Sequence, residues 1–147
     1  VSIDRLAGYK RAMQDAGLPL QSGLMIDGGY TAESACLAAT ALLKSPLAPT
    51  AVFATDAVKV MSIYRAAHEQ KKSIPDELSV TGYSSDNISP ILSPELTGIE
   101  IPIRELGWLG CGVLFDKIFD RPCAHSRTLV PTQLVINRSA RSLSSAK

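Results

Sequence analysis

At 147 residues, 46% hydrophobic and 20% charged, the chain has the size and composition of one globular core. Fifteen basic against fourteen acidic side chains leave a formal charge of +1, without the basic stripe that clamps a nucleic-acid duplex. No apolar run is long enough to span a bilayer and no signal-peptide pattern opens the chain, so neither membrane nor secretion is expected. Cys36, Cys111 and Cys123 are odd in number and irregularly spaced, which argues against a disulfide framework and for a reducing, cytoplasmic setting.

The first element is a helix, from Asp4 to a stop at Gly17, with Ile3, Leu6, Met13 and Ala16 as its apolar stripe. A strand is expected at Leu24–Ile26, then a helix from an N-cap at Thr31 to Leu43, with Glu33 in its first turn. Ala51–Ala54 reads as a strand, and Asp56 caps a helix reaching about Gln70. In that helix Ala57, Val60, Met61, Tyr64 and Ala67 form the core stripe, while Val58 and Ile63 lie off it. An arc that wide implies burial on two sides. Leu78–Gly82 and Gly98–Ile101 read as strands, Ile103–Phe119 as a helix, and Thr128–Ile136 as a closing extended run before a frayed tail. Gly107, Gly110 and Gly112 in the last helix imply either close backbone packing or a broken helix, since each costs about 1 kcal/mol of propensity.

In three places an apolar strand stops abruptly in a polar loop: GLMIDGGYTAES, TAVFATDAV and LSVTGYSSDN. This is the layout of a parallel α/β sheet, and it sets Asp27–Tyr30, Thr55–Asp56 and Tyr83–Asp86 at the carboxyl ends of strands. Open parallel sheets bind small molecules in the crevice there. A doubly wound sheet opens on a strand, yet here a helix comes first, so the chain is expected to be the back part of something longer.

Catalytic signatures are missing. His68 and His125 are the only histidines, Cys123 with His125 is too small a cluster for zinc, and no nucleophile-elbow, zincin, P-loop or G-x-G-x-x-G pattern occurs. No enzyme activity, metal or cofactor is expected.

Five runs together carry a family resemblance: R-L-A-G-Y-K-R-A-M-Q-D-A-G-L (Arg5–Leu18), P-T-A-V-F-A-T-D (Pro49–Asp56), I-P-D-E-L-S-V-T-G-Y (Ile74–Tyr83), P-E-L-T-G-I with R-E-L-G (Pro94–Ile99, Arg104–Gly107), and L-V-P-T-Q-L-V-I-N-R-S (Leu129–Ser139). In order and spacing they resemble the core of the lactose/galactose repressor family of bacterial transcription regulators. The resemblance implies a periplasmic-binding-protein-like α/β fold, a doubly wound parallel sheet, mostly its C-terminal subdomain. Residues 1–100 would form that subdomain without its first strand, 101–127 would return to the N-terminal subdomain, 128–140 would supply the closing strand and 141–147 a tail. It also implies a small-molecule effector, a sugar or sugar derivative, and a homodimer. The dimer surfaces would be the start of the Thr31 helix, Lys59–His68 and the Ser89–Leu92 loop. Operator DNA would be met only through an N-terminal domain that this chain lacks. A transport-system sugar-binding protein of related fold is the alternative.

Effector contacts implied by the resemblance fall on Arg5, Tyr30, Thr55, Asp56 and Ser84. Arg5 supplies a planar donor fork for hydroxyls or acid groups; by itself it reads first as a solvated arginine in a first helical turn, and the motif around it turns the reading to a ligand contact. Tyr30 suits stacking on a sugar's C–H face, or a hydrophobic staple ahead of Thr31. Asp56 is a helix cap, a ligand contact, or both. Thr55 stands where many sugar-binding members carry Asn, and Ser84 where they carry Asp, so the ligand chemistry differs or Asp86 substitutes. Arg5 retained beside a lost carboxylate points to an acidic or phosphorylated sugar.

Overall fold

The computed structural model describes residues 2–47, 49–85, 89–122 and 127–142. Helices α1 (Ser2–Asp15), α2 (Ala32–Leu43), α3 (Ala57–Glu69) and α4 (Ile103–Ile118) alternate with strands β1 (Ala51–Ala54), β2 (Ser79–Ser85), β3 (Thr97–Ile101) and β4 (Gln133–Val135). The strands form one sheet in the order β1-β2-β3-β4. β1, β2 and β3 run parallel, and β4 closes the edge antiparallel to β3. The fold is therefore the parallel-dominated α/β sheet expected from the strand-to-loop layout.

Strand alternation divides the side chains between two faces. Val52 and Ala54, Val80 and Gly82, and Gly98 share one face in register; α3 covers it, and α2 packs against α3. Its core is Ala39, Leu42 and Leu43 of α2, Val60, Ile63, Ala66 and Ala67 of α3, and Leu78, Val80 and Leu96 of the sheet side. Phe53, Thr81, Tyr83, Ile99 and Leu134 lie on the other face, which α1 reaches through Tyr9 stacked on Phe53 (centroids 6.3 Å apart).

Both middle helices start as their caps predict. The Thr31 hydroxyl accepts from the Ser34 N–H while the Ser34 side chain returns to the Thr31 backbone, a capping box. The Asp56 carboxylate accepts from the Lys59 N–H. The α3 stripe is rotated from the one expected: Val60, Ile63, Ala66 and Ala67 are buried, whereas Met61 faces out beside Val58. The alternative i, i+3, i+7 set gives the sheet smaller side chains to approach, and Met61, longer and more flexible, is left outside.

Several sequence expectations change. Leu24–Ile26 is no strand: Ser22–Leu24 forms a 3-10 turn and Met25–Ile26 joins no ladder. In a doubly wound order this segment pairs with a strand preceding α1, not with β1, and among the described residues α1 has none before it. β2 runs on to Ser85, past the Gly82 boundary, because β3 pairs with it as far as Ser85↔Ile101. The closing run keeps only Gln133–Val135 in the ladder, beginning after Pro131, which has no N–H to donate. α4 is continuous, and around Gly107, Gly110 and Gly112 there is open space rather than close packing among the described residues.

Beyond β4 the chain is tied back by polar bonds. Ser139, fully buried, accepts from the Thr97 N–H (2.7 Å) and donates to the Val80 carbonyl (2.6 Å), while its own carbonyl takes the Val80 N–H (2.8 Å). The Asn137 amide donates to the Leu96 carbonyl (2.9 Å).

Candidate functional site

β1 ends at Ala54, and the turn Thr55–Asp56 leads directly into α3. The site is built around this turn. Arg5, in the first turns of α1, donates from Nη1 to the Thr55 carbonyl, and its guanidinium carbon lies 4.1 Å above the Tyr83 ring. A cation over an aromatic face is held by the ring quadrupole. Tyr83 in turn meets Phe53 edge-on (5.8 Å, 73°), so Tyr9, Phe53 and Tyr83 make a continuous aromatic wall beneath Arg5. A groove of about 500 Å³ runs along it, lined by Asp4, Arg5, Gly8, Tyr9, Phe53, Tyr83 and Ile99. A second hollow, of about 550 Å³, is lined by Pro75, Ser93, Pro94, Asn137, Arg138 and Ala140 and lies at the amino ends of the strands, away from this site.

Asp56 is both cap and ion-pair partner. Oδ1 accepts from the Lys59 N–H at 3.0 Å, and Oδ2 meets Lys59 Nζ at 2.5 Å and the Thr55 hydroxyl at 3.4 Å. Partial burial pushes the carboxyl's pKa upward, but the Lys59 bonds and charge outweigh it and hold the group below the usual carboxylate value. A folded-state pKa below the unfolded one stabilises the fold above the unfolded value, near 3.8, and this contribution is lost as pH falls through the folded value. Asp56→Asn, which keeps a capping side chain but loses the charge that Lys59 holds, is therefore expected to lower stability near neutral pH and to lessen its decline in acid, where the two proteins converge. A pH series of urea melts checks this; identical acid limbs in both proteins would show that Asp56 does not titrate in this way.

The structure thus brings Arg5, Thr55 and Asp56 together. Tyr30 is 98% exposed, so it forms no hydrophobic staple. Its loop does adjoin the site: Gly28 is buried against the Lys59 side chain, Asp27 accepts from the Gly29 N–H at 2.9 Å, and Gly29 takes the left-handed conformation (φ 61°). The Ser84 backbone belongs to β2; the contact expected of its side chain, and the roles weighed for Asp86, Cys123 and His125, fall outside the described residues. His68 is exposed near the end of α3, away from the Thr55–Asp56 turn. Sequence reading sets Tyr83 at the carboxyl end of a strand without giving it a contact, and passes over Phe53 and Tyr9 as site residues and Lys59 as the partner of Asp56. The i, i+3 spacing of Asp56 and Lys59 is the signal for the last pair.

The model of the periplasmic binding protein-like domain matches residues 1–140. The HTH-type transcriptional repressor PurR of Photobacterium profundum is 32% identical over 142 residues, 95% of this chain and 42% of the repressor. Among solved structures, a complex of the transcriptional regulator CelR with cellobiose superposes with a TM-score of 0.83 at 25% identity, covering 94% of this chain and 42% of CelR. A sugar-binding transcriptional regulator of the LacI family from Escherichia coli, complexed with phosphate, gives a TM-score of 0.76 at 27% identity over 94% of this chain and 49% of that one. The chain spans about two-fifths of the curated relative's length, and the part it matches is the ligand-binding core. This chain belongs to the periplasmic binding protein-like domain family and corresponds to the effector-binding region of LacI-type transcription regulators.

Proposed function

We propose that the chain is the effector-binding and dimerisation module of a bacterial transcription regulator, working in the cytoplasm and without catalytic activity of its own. The observation that carries this reading is Arg5 poised on the Thr55 carbonyl at the carboxyl end of β1, over an aromatic wall. The relatives are transcriptional repressors, and no helix among the described residues is long and apolar enough to cross a membrane. Residues 101–127 are proposed to pass into a second subdomain. In support, no residue of α4 is buried, and Ile103, Leu106, Trp108, Leu114, Phe115 and Ile118 are all exposed. Ligand held between two subdomains would set their relative angle, and with it the geometry of a dimer.

The effector is proposed to be an anionic sugar derivative. Arg5 rests on a neutral carbonyl and an aromatic face, and the carboxylate nearest that turn, Asp56, is occupied by Lys59. Closing a second subdomain over the guanidinium would bury it further, and a buried charge without a counter-charge is costly, so an anionic ligand that supplies one is favoured. The LacI-family regulator solved with phosphate and the cellobiose-bound CelR bracket the choice between charged and neutral. Calorimetry of the complete gene product against matched anionic and neutral sugars tests it. The anionic sugar should bind more tightly, and Ser84→Asp should weaken it about tenfold, roughly 1.4 kcal/mol. Tight binding of the neutral sugar, indifferent to Ser84→Asp, would refute the anionic reading.

Dimerisation is proposed through the outer faces of α2 and α3 and the Ser89–Leu92 segment. Leu37, Val58, Met61 and Ile91 are exposed there, and a symmetric interface of this type buries about 1,200 Å² or more. Leu37→Glu is expected to turn a dimer into a monomer in sedimentation at micromolar concentration. Monomeric behaviour of the unaltered protein at high concentration would rule the interface out.

A further inference from the structure

Resting on the effector site proposed above, we infer that Lys59 is a specificity-determining residue of that site, contributing the second cation that grips an anionic group of the ligand. The support is a balance of donors and acceptors around the Thr55–Asp56 turn. Its acceptors are already engaged: the Thr55 carbonyl by Arg5, Asp56 Oδ1 by the Lys59 N–H, and Asp56 Oδ2 by Lys59 Nζ and the Thr55 hydroxyl. Its donors are not exhausted. Arg5 spends one N–H of its fork on Thr55, and the Lys59 ammonium spends one of its three on Asp56. A neutral sugar hydroxyl is donor and acceptor alike and makes no particular use of two cationic donors. A phosphate or a carboxylate only accepts.

The placement of Lys59 is fixed rather than incidental. Its side chain is 23% exposed, low for a residue type that normally extends into water. Its methylenes lie along buried Gly28, where an added Cβ would come within 2.9 Å of Lys59 Cε. The glycine leaves a channel that steers the ammonium to the turn rather than to solvent. Arg5 comes to the same turn from α1, where it holds the Thr55 carbonyl while Lys59 holds the Asp56 carboxylate. A ligand anion that shares the ammonium with Asp56, or draws it away, completes the coordination of both cations, while Asp56 remains the cap of α3.

The test is calorimetry of the complete gene product with three probes, inorganic phosphate, glucuronate and glucose, on the unaltered protein and the variants Lys59→Met, Lys59→Arg, Gly28→Ala, Asp56→Asn and Arg5→Met. Phosphate or glucuronate should bind at least tenfold more weakly to Lys59→Met, with Lys59→Arg recovering most of the loss. Asp56→Asn, which releases the ammonium, should bind the anion several-fold more tightly. Gly28→Ala, which displaces the end of the lysine while leaving backbone contacts alone, should weaken it. Glucose should respond to none of these. Preference for phosphate identifies a phosphoryl group and preference for glucuronate a carboxylate, each in support. Unchanged anion affinity in Lys59→Met, with Arg5→Met abolishing binding, overturns the role of Lys59 and leaves the site assignment standing. Indifference to both variants overturns the site itself, and so does the failure of both anions to bind at millimolar concentration.

Discussion

Alanine at Gly98 is expected to cost about 3 kcal/mol of stability, at the upper end of what overpacking a closed interior costs, and valine more. Gly98 and Gly82 are register partners across β2 and β3. A Cβ on Gly98 would stand 2.2 Å from the Gly82 carbonyl oxygen, and one on Gly82 would stand 2.6 Å from the Ala54 carbonyl oxygen and 2.9 Å from Val60 Cγ2. These obstacles are main chain and a fully buried side chain, so relief at Gly98 requires moving β3 against β2, and at Gly82 moving β2 against β1 or lifting α3 off the sheet. Glycine inside a strand commonly marks such a close approach. Urea unfolding of the complete gene product measures the effect. Gly8→Ala, inside α1, is the control: no described residue lies within 4 Å of a Cβ there, and it should gain up to about 1 kcal/mol of helix propensity. A midpoint for Gly98→Ala equal to that of the unaltered protein would mean the strands are not so closely set.

What could be read from the residues depended on whether the cause was local. The starts of α2 and α3 were legible because Thr31 and Asp56 satisfy N–H groups only three residues away. β1 and β2 were legible because each is a short apolar run that ends in polar residues. Leu24–Ile26 carries the same signature and is no strand, since a ladder needs a neighbour and a pattern within one segment cannot report whether the neighbour is there. The rotation of the α3 stripe has the same origin. Val60, Ile63 and Ala67 and the set containing Met61 are both plausible apolar faces, and only the sheet beneath decides between them.

The polar ties were still less visible. Ser139 reads as part of a trailing R-S dipeptide, yet it is buried and bridges β2 and β3 from beyond β4. At the site, the motifs singled out Arg5, Thr55 and Asp56, which the fold brings to one turn, but they said nothing of Tyr83 beneath the guanidinium or Lys59 on the carboxylate. The first contact spans most of the chain and depends on what α1 and the sheet bring together. The second needs the buried Gly28 loop to turn the lysine inward. For Tyr30 only the staple reading is settled: its neighbours in the chain suggested one, while its ring is 98% exposed.

Arg5→Met is expected to lower affinity for the anionic effector about 100-fold, equivalent to about 2.7 kcal/mol. Two features set that magnitude. The guanidinium is already oriented by the Thr55 carbonyl and the Tyr83 face, so binding spends little side-chain entropy on ordering it. A charge-assisted, bidentate contact is also about twice as strong as a neutral hydrogen bond. Methionine keeps the apolar length against Tyr83 and removes only the charge and the fork. Stability should barely change, because α1 exposes most of its surface and Arg5 itself is only half-buried. Arg5→Lys separates charge from geometry. A lysine retains the attraction but cannot present parallel donors, so it should recover only part of the loss, and that part should shrink as salt is raised. Calorimetry with whichever anion binds the unaltered protein provides the measurement, at two ionic strengths. Arg5→Met binding within about threefold of the unaltered protein, a difference of under about 0.7 kcal/mol, would place the effector somewhere other than this turn.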